Sequence, residues 1–307
     1  MIKVNISKST ESFFAQLIKD IFKNNKLEKK KDKKIVFSIT RETIDTLLKK
    51  KLKKFDENIT LKRLILVDFE YLEKLVEFLE ENRAITKLTK IEKEYFLTLY
   101  SRLKKAEFIK KIGVSSCLYC NRNYIFNFSK NNKQNATAQL DHFFDKSTYP
   151  YLAVCLYNLI PSCSTCNQRK SSKRVNILHP YYDSFDKKAT FRLDINNSTF
   201  YYSVDGFDIK IEANRADDKK TEQSIEIFNL QPLYNNHKDI ILELIQKQAI
   251  YCESYLDELL TQYEGTLFKN REDLQRLISG GYLSDEEIGK RPLSKLIKDI
   301  SDELGLK

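Results

Sequence analysis

Apolar residues in the first third of the chain recur every three or four positions, a spacing that predicts helices. The first predicted helix begins behind Ser9 and Thr10 and ends within Lys23–Lys34, which has no apolar period and is typical of an exposed loop or a frayed helix end. Further helices are predicted over Arg41–Lys54, from Asp68 as the cap through Glu81, and as one long helix over Lys87–Lys111 that Gly113 ends.

The pattern changes at Ser115, where cysteines, asparagines and short β-like runs replace the helical period. Beyond about residue 188, three short runs rich in β-branched and aromatic residues are separated by Asn196-Asn197 and Asp205-Gly206. They predict a small antiparallel β-meander of three strands, namely Thr190–Ile195, Phe200–Val204 and Phe207–Glu212. Helices are expected again from Lys219 to the end.

Composition narrows the class of protein. The chain has 307 residues, of which 41% are hydrophobic and 31% charged, the balance of a globular protein with room for two domains. No apolar run approaches the roughly 18–20 residues that a membrane span needs. The N-terminal residues lack the order of a secretory signal, which predicts a cytoplasmic protein whose cysteines are thiols or metal ligands.

Four of the six cysteines form two Cys-x-x-Cys pairs, Cys117/Cys120 and Cys163/Cys166, whereas Cys155 and Cys252 stand alone. Four thiolates close a tetrahedron around zinc and leave no open position for substrate, so the pairs predict a structural Zn²⁺ site. A redox role for either pair, or four unrelated buried thiols, is the alternative interpretation.

The segment between and after the pairs contains Asp141-His142, then Asn158 sixteen residues after His142, then Asn167 nine residues further on, just inside a predicted helix. This order resembles that of the HNH nucleases of the ββα-metal superfamily, over about residues 115–180. The zinc-knuckled subset of that family carries cysteine pairs at the same places. The resemblance implies a zinc-stapled ββα core within an otherwise mainly helical α+β protein.

The resemblance also implies a role for each motif residue. His142 would take a proton from water, because an imidazole with a pKa near 6.5 can act as a base at neutral pH. Asp141 and Asn167 would supply oxygen ligands to a catalytic Mg²⁺ or Mn²⁺. Asn158 would hydrogen-bond across the loop that aims the imidazole. Many relatives have histidine at the position of Asn167, which leaves the preferred ion open.

The net charge of the chain and its distribution indicate the kind of ligand to expect. The net charge is +10, residues 23–54 are strongly basic, and a polyanion is the expected ligand, although lysine runs are usually only solvated surface. Arg169, Lys170, Lys173 and Arg174 follow the motif and are predicted to contact phosphates. Further basic residues flank the core, and they would form a path for a nucleic-acid backbone if they converge on one face: Arg102, Lys104, Lys105, Lys110, Lys111, Arg122, Lys130 and Lys146.

These observations predict a helical basic region over residues 1–112, a zinc-knuckled HNH core over 113–188, and a β-meander with helices over 189–307. The function they favour is a metal-dependent endonuclease acting on DNA, with RNA left open. The core is similar to HNH proteins of bacterial anti-phage systems, such as the Septu-type pairing of an HNH subunit with an ATPase, which implies a gating partner. The alternative is a zinc-stabilised module that binds nucleic acid or protein without cleavage.

Overall fold

The computed structural model describes residues 1–22, 26–31, 34–172, 175–216 and 218–306. It confirms the α+β class, because helices dominate and the strands form small antiparallel pairs. The helices of the first part are α1 (Lys8–Ile21), α2 (Arg41–Leu52), α3 (Leu61–Leu64), α4 (Phe69–Glu81), α5 (Arg83–Thr86), α6 (Lys90–Arg102) and α7 (Lys105–Ile112). Those that follow are α8 (Ser164–Lys170), α9 (Lys219–Ile227), α10 (Leu230–Tyr234), α11 (Lys238–Ile250), α12 (Glu253–Tyr263), α13 (Arg271–Ser279) and α14 (Ser294–Leu304).

The strands of the described chain pair two by two. They are β1 (Leu27–Lys31) with β2 (Lys34–Ile39), β3 (Asn127–Lys130) with β4 (Lys133–Ala136), β5 (Gln139–His142) with β6 (Leu159–Ser162), and β7 (Ala189–Ile195) with β8 (Phe207–Ala213). Each pair is antiparallel.

The prediction of an exposed loop or a frayed helix end for the lysine-rich stretch is wrong over most of the residues that the structure describes. Residues 27–31 and Lys34 belong to the hairpin of β1 and β2, while residues 23–25 and 32–33 of the predicted loop lie outside the described chain. The hairpin forms because Leu27 and Ile39, which face each other in the register, are both buried in the core. In the sequence Leu27 stands alone among lysine and acidic residues, whereas Ile39 ends a short apolar run.

The long helix predicted over Lys87–Lys111 is wrong, because the chain breaks between α6 and α7. Leu103 leaves the helix with an extended backbone (ψ 129°) and its side chain is buried. Burial of this apolar side chain favours the break. Gly113 ends α7 in a left-handed conformation (φ 80°), as predicted, and Asp68 caps α4, as predicted.

The predicted β-meander is a two-stranded hairpin. β7 pairs with β8, but the expected middle strand lies in two short 3₁₀ turns at Ser198–Tyr201 and Val204–Gly206. The Asn197 side chain accepts a hydrogen bond from the Thr199 N–H and starts the first turn. Gly206 packs so closely that an added Cβ would lie 2.3 Å from the Phe200 nitrogen.

One continuous core of buried apolar residues runs from Met1 to Leu306 and includes residues of all three predicted regions. Leu256, Phe268, Leu274 and Ile278 form a separate small cluster. Within this frame β5, β6 and α8 follow one another as two paired strands and a helix. In the described part of the chain, no helix is long and apolar enough to cross a membrane.

Candidate metal centre and active site

The two Cys-x-x-Cys pairs meet in one place. The Sγ atoms of Cys117, Cys120, Cys163 and Cys166 all lie within 4.8 Å of one another, and all four residues are buried. The second pair surrounds the end of β6 and the start of α8, because Cys163 caps that helix and Cys166 lies in its first turn. This cluster could hold a structural zinc ion.

Hydrogen-bond donors point at the sulfur atoms. The Cys163 N–H donates to Cys117 Sγ (3.3 Å), the Arg122 N–H donates to Cys120 Sγ (3.3 Å), and Asn123 Nδ2 donates to Cys163 Sγ (3.2 Å). Such donors stabilise thiolates, the form that binds zinc. Burial raises the pKa of Cys117, so thiolates at this position call for a cation. The donor set therefore fits zinc.

The first knuckle is wrapped by the C-terminal part of the chain. Asn121 adopts a left-handed backbone (φ 51°) and is fully buried. Its Nδ2 donates to the Ile288 carbonyl (3.2 Å), and its Oδ1 accepts from the Lys295 N–H (3.1 Å). Tyr234 also donates to the Cys120 carbonyl. No sequence signal pointed to these contacts, since the partners are more than 100 residues apart.

In the candidate active site, the carboxylate of Asp141 is buried. Its Oδ2 accepts a hydrogen bond from the Tyr119 hydroxyl (2.6 Å) and forms an ion pair with Lys170 Nζ (3.1 Å), whose side chain is fully buried. Burial raises the pKa of Asp141, and the charge of Lys170 opposes that rise. Among the described residues no hydrogen bond reaches Oδ1, which leaves one hard oxygen for a cation.

Asn167 lies on the same side of the hairpin as Asp141. Its Nδ2 donates to Gln139 Oε1 (2.5 Å), and Gln139 is two residues before Asp141 on β5. Residues two apart on a strand face the same way, so both contact α8. No donor within the described ranges bonds to the amide oxygen of Asn167. Asp141 and Asn167 therefore offer one oxygen each beside α8, although no hydrogen bond joins the two side chains.

His142 contacts different neighbours from Asp141, as the alternation along a strand requires. Its Nε2 lies 3.0 Å from the Ala153 carbonyl, and its ring meets the Tyr100 ring with centroids 4.4 Å apart at 66°. The side chain is buried, and burial, followed by the charge of Lys146, lowers the pKa of His142 to about 3. The imidazole is therefore neutral at pH 7. Because Nε2 must donate to a carbonyl, the lone pair lies on Nδ1.

Asn158 ties together the loop between the two strands. Its Nδ2 donates to the carbonyls of Phe144 and Leu152 (3.0 Å each), and its Oδ1 accepts from the Phe144 N–H (2.7 Å). Ala153, whose carbonyl meets His142, directly follows Leu152. Asn158 thus holds the loop that carries the hydrogen-bond partner of the imidazole.

Of the four residues predicted to contact phosphates, the two that the structure describes differ in their exposure. Lys170 is fully buried against Asp141 and also donates to the His142 carbonyl (2.7 Å), so it is not the exposed cation expected from the sequence. Arg169 is half-buried. Lys173 and Arg174 lie outside the described residues.

The two other histidines are held by local hydrogen bonds. His179 is buried, with Nε2 2.8 Å from the Tyr157 carbonyl and Nδ1 accepting from the Tyr181 N–H (3.3 Å), and burial lowers its pKa to about 3. His237 accepts a hydrogen bond from Arg122 Nε (3.0 Å). Both ring nitrogens of His179 are therefore occupied, and it is a structural residue.

No model of a known protein family matches the chain, and no solved structure matches it. One stretch is similar to a Septu protein. Over 73 residues the chain is 33% identical to the Septu protein PtuB of Bacillus thuringiensis. The stretch is 23% of this chain and 26% of the relative, so the similarity spans about a quarter of that protein.

Proposed function

We propose that this protein is a metal-dependent HNH endonuclease that hydrolyses phosphodiester bonds of DNA. The observation that carries the proposal is the arrangement of β5, β6 and α8. Asp141 and His142 end the first strand, Asn158 holds the intervening loop, and Asn167 lies on the helix that follows the second strand. The zinc-type cysteine cluster fixes the start of that helix.

In the proposed reaction His142 is the general base. Its neutral imidazole donates through Nε2 to the Ala153 carbonyl, which leaves Nδ1 to accept a proton from water. Burial lowers the pKa of His142 to about 3 in this closed state, so the proposed reaction requires the site to open to water, which would bring the pKa back toward 6.5. The water oxygen forms a bond to phosphorus while the bond from phosphorus to the 3′-oxygen breaks. The 3′-oxygen takes up a proton from solvent, so 3′-hydroxyl and 5′-phosphate ends result. A divalent ion bound to Asp141 Oδ1 and the Asn167 amide oxygen would neutralise the charge that builds on the phosphate oxygens. Mg²⁺ or Mn²⁺ suits these oxygen ligands.

The cysteine cluster has a separate task in the proposal. Zinc bound to four thiolates has no open coordination position, so it stabilises the fold and takes no part in the chemistry. Cys117 and Cys120 precede the β3–β4 hairpin, whereas Cys163 and Cys166 flank the start of α8. The ion therefore joins the two ends of the segment that contains Asp141, His142 and Asn158.

The similarity to the Septu protein PtuB supports a role in anti-phage defence. We infer that a partner subunit, such as the ATPase of a Septu-type pair, gates the nuclease. The buried state of the site is consistent with gating, because His142 is only 6% exposed and Asp141 only 3%. A substrate phosphate would reach them only after nearby side chains move.

The same burial favours a second candidate function, a zinc-stabilised nucleic-acid-binding module without cleavage. In that case the Asp141–Lys170 ion pair is a permanent part of the core, and the position next to Oδ2 is already filled by an ammonium group. Both candidates require the cysteines. Only the first requires His142.

The test is incubation of supercoiled plasmid with the purified protein, with and without added Mg²⁺ or Mn²⁺. We expect nicked plasmid that depends on the ion and disappears in His142→Ala, with the zinc content unchanged. His237→Ala is the matched control, since it removes a half-buried histidine outside the motif and should still cut. Cutting that survives His142→Ala contradicts the mechanism. A zinc-loaded protein that binds plasmid but leaves it intact, with and without its partner subunit, supports the second candidate.

A further inference from the structure

Two lysines that are far apart in the sequence converge on one aromatic ring. Lys105 is the first residue of α7, and Lys146 lies in the loop that follows β5. Their Nζ atoms lie 4.0 Å and 4.7 Å from the centroid of the Tyr100 ring. Three separate segments of the chain thus bring two positive charges to the same place.

Tyr100 connects these cations to the candidate active site. Its ring packs edge-on against His142, and its hydroxyl donates to the carbonyl of Leu140 on β5 (3.2 Å). Burial lowers the pKa of His142, and the charge of Lys146 lowers it further. Burial raises the pKa of Asp141, and the charge of Lys146 is among the effects that oppose that rise, after that of Lys170. The two lysines therefore border the group that the proposed function uses as its base.

Neither lysine has an acidic partner among the residues described by the structure. The neighbouring Lys104 pairs with Glu107 (3.1 Å). Asp145, which precedes Lys146, instead accepts hydrogen bonds from Ser147 and Thr148 through its Oδ2. Lys105 and Lys146 are thus two like charges without an ion-pair partner among the described residues, although the Asp141 carboxylate interacts with Lys146 at longer range.

Both lysines are half-buried, so water screens their charges less than it screens those of fully exposed side chains. Burial lowers the pKa of Lys105, and repulsion from Lys146 lowers it further. An anion bound between the helix and the loop would remove this repulsion. A phosphate fits this need, because each ammonium offers three N–H donors to phosphate oxygens.

We propose that Lys105 and Lys146 form an anchor for phosphate oxygens of the nucleic-acid strand, placed beside His142. That the bound phosphate belongs to a DNA strand rests on the proposed function. That the two lysines bind an anion does not rest on it. The alternative is that both lysines only pack against Tyr100 as cation–π contacts. The two roles differ in their dependence on salt, since only a phosphate contact releases counterions from DNA.

The test measures binding apart from cleavage. A fluorescent DNA duplex of about 20 base pairs is titrated with the full chain at several salt concentrations, with no divalent ion added. We expect Lys105→Gln and Lys146→Gln each to weaken binding roughly tenfold and to reduce the slope of log K against log salt by about one. Lys269→Gln is the matched control, because it removes an exposed lysine outside the predicted path for nucleic acid and changes net charge equally. It should change both quantities much less.

A second arm uses inorganic phosphate as the probe. Phosphate should raise the unfolding temperature of the wild type above that in chloride of equal ionic strength, and the shift should vanish in Lys105→Gln and Lys146→Gln. Lys105→Arg and Lys146→Arg keep the charge and the contact with Tyr100, so they should restore binding. Binding lost in a Gln variant that remains folded by circular dichroism, and restored by Arg, separates the anchor from a packing role.

The outcomes also separate this proposal from the proposed function. DNA binding that depends on both lysines, in a protein that never cuts, supports the anchor and contradicts the nuclease. In an active enzyme, we expect the Gln variants to raise KM roughly tenfold with kcat largely kept, whereas His142→Ala abolishes kcat. Equal losses in Lys269→Gln, an unchanged salt slope, or a wild type that binds neither duplex nor phosphate would overturn the anchor.

Discussion

His179 is a buried histidine whose ionisation makes the stability of the folded chain depend on pH. Its pKa falls from 6.5 to about 3 on folding, because burial disfavours the charged ring. A lowered pKa means that its contribution to stability is fully present above pH 6.5 and is lost as pH falls toward 3. Between pH 7 and pH 5 this loss amounts to about 2 kcal/mol of unfolding free energy.

The measurement is urea unfolding of the wild type and of His179→Gln at pH 7, 6 and 5. The glutamine does not titrate, so the variant should lose about 2 kcal/mol less than the wild type over this range, whatever its stability at pH 7. His142 also has a lowered pKa, but it titrates in both proteins and cancels in the comparison. Parallel curves for the two proteins would contradict the prediction.

At the scale of single residues, the sequence allows predictions about residues that are close together in the chain, but not about contacts between residues that are far apart. Each cysteine pair and the capping Asp68 could be recognised from positions a few residues apart, because a knuckle and a helix cap are local structures. The role of Asn158 could be predicted only from the resemblance to HNH nucleases. The partners of Asp141 were not predictable. Lys170 reaches its carboxylate because α8 packs against β5, and Tyr119 reaches it from the first cysteine knuckle. In the sequence alone, Lys170 has the pattern of a surface cation.

At the scale of elements, the loop between β5 and β6 depends on one side chain. Asn158→Ala removes three hydrogen bonds, two to carbonyl groups and one from the Phe144 N–H, and should lower the unfolding free energy by on the order of 3 kcal/mol. Amide exchange followed by NMR provides an internal control. The Phe144 amide should exchange much faster, while the Phe143 amide, which bonds to the Asn158 backbone carbonyl, should remain protected. Equal acceleration of the two amides would mean that the whole hairpin opens.

Element boundaries could be predicted only where the sequence marks them. Gly113 marks the end of α7, and it could be placed from the sequence because a left-handed residue favours glycine. The break before Lys105 carries no such mark, since Leu103 continues the apolar face of α6 and leaves the helix only to bury its side chain. The break matters for the proposed phosphate anchor, because it starts a new helix at Lys105 and brings this lysine to the Tyr100 ring.

At the scale of the whole molecule, the three regions predicted from composition share one core. The N-terminal helices, the cysteine cluster and α14 all contribute buried residues to it. The C-terminal chain is joined to the first knuckle by Asn121, whose carbonyl accepts the Leu293 N–H (2.6 Å) and whose side chain accepts the Lys295 N–H. Composition alone could not show this junction, because it depends on contacts between residues more than 170 positions apart.

The junction predicts what loss of the metal does to a distant helix. Cys163→Ser, or extraction of the proposed zinc by a chelator, should release the first knuckle and with it the contacts of Asn121, so that α14 loses protection from amide exchange along with residues 115–125. Cys252→Ser is the control, since Cys252 is exposed and outside the cluster, and it should keep one zinc per chain and normal protection. Mass spectrometry of exchanged peptides, with metal content measured on the same samples, makes the comparison. If α14 stays protected after the zinc is gone, the shared core holds the C-terminal region without the metal, and the role of zinc is confined to the segment between the cysteine pairs.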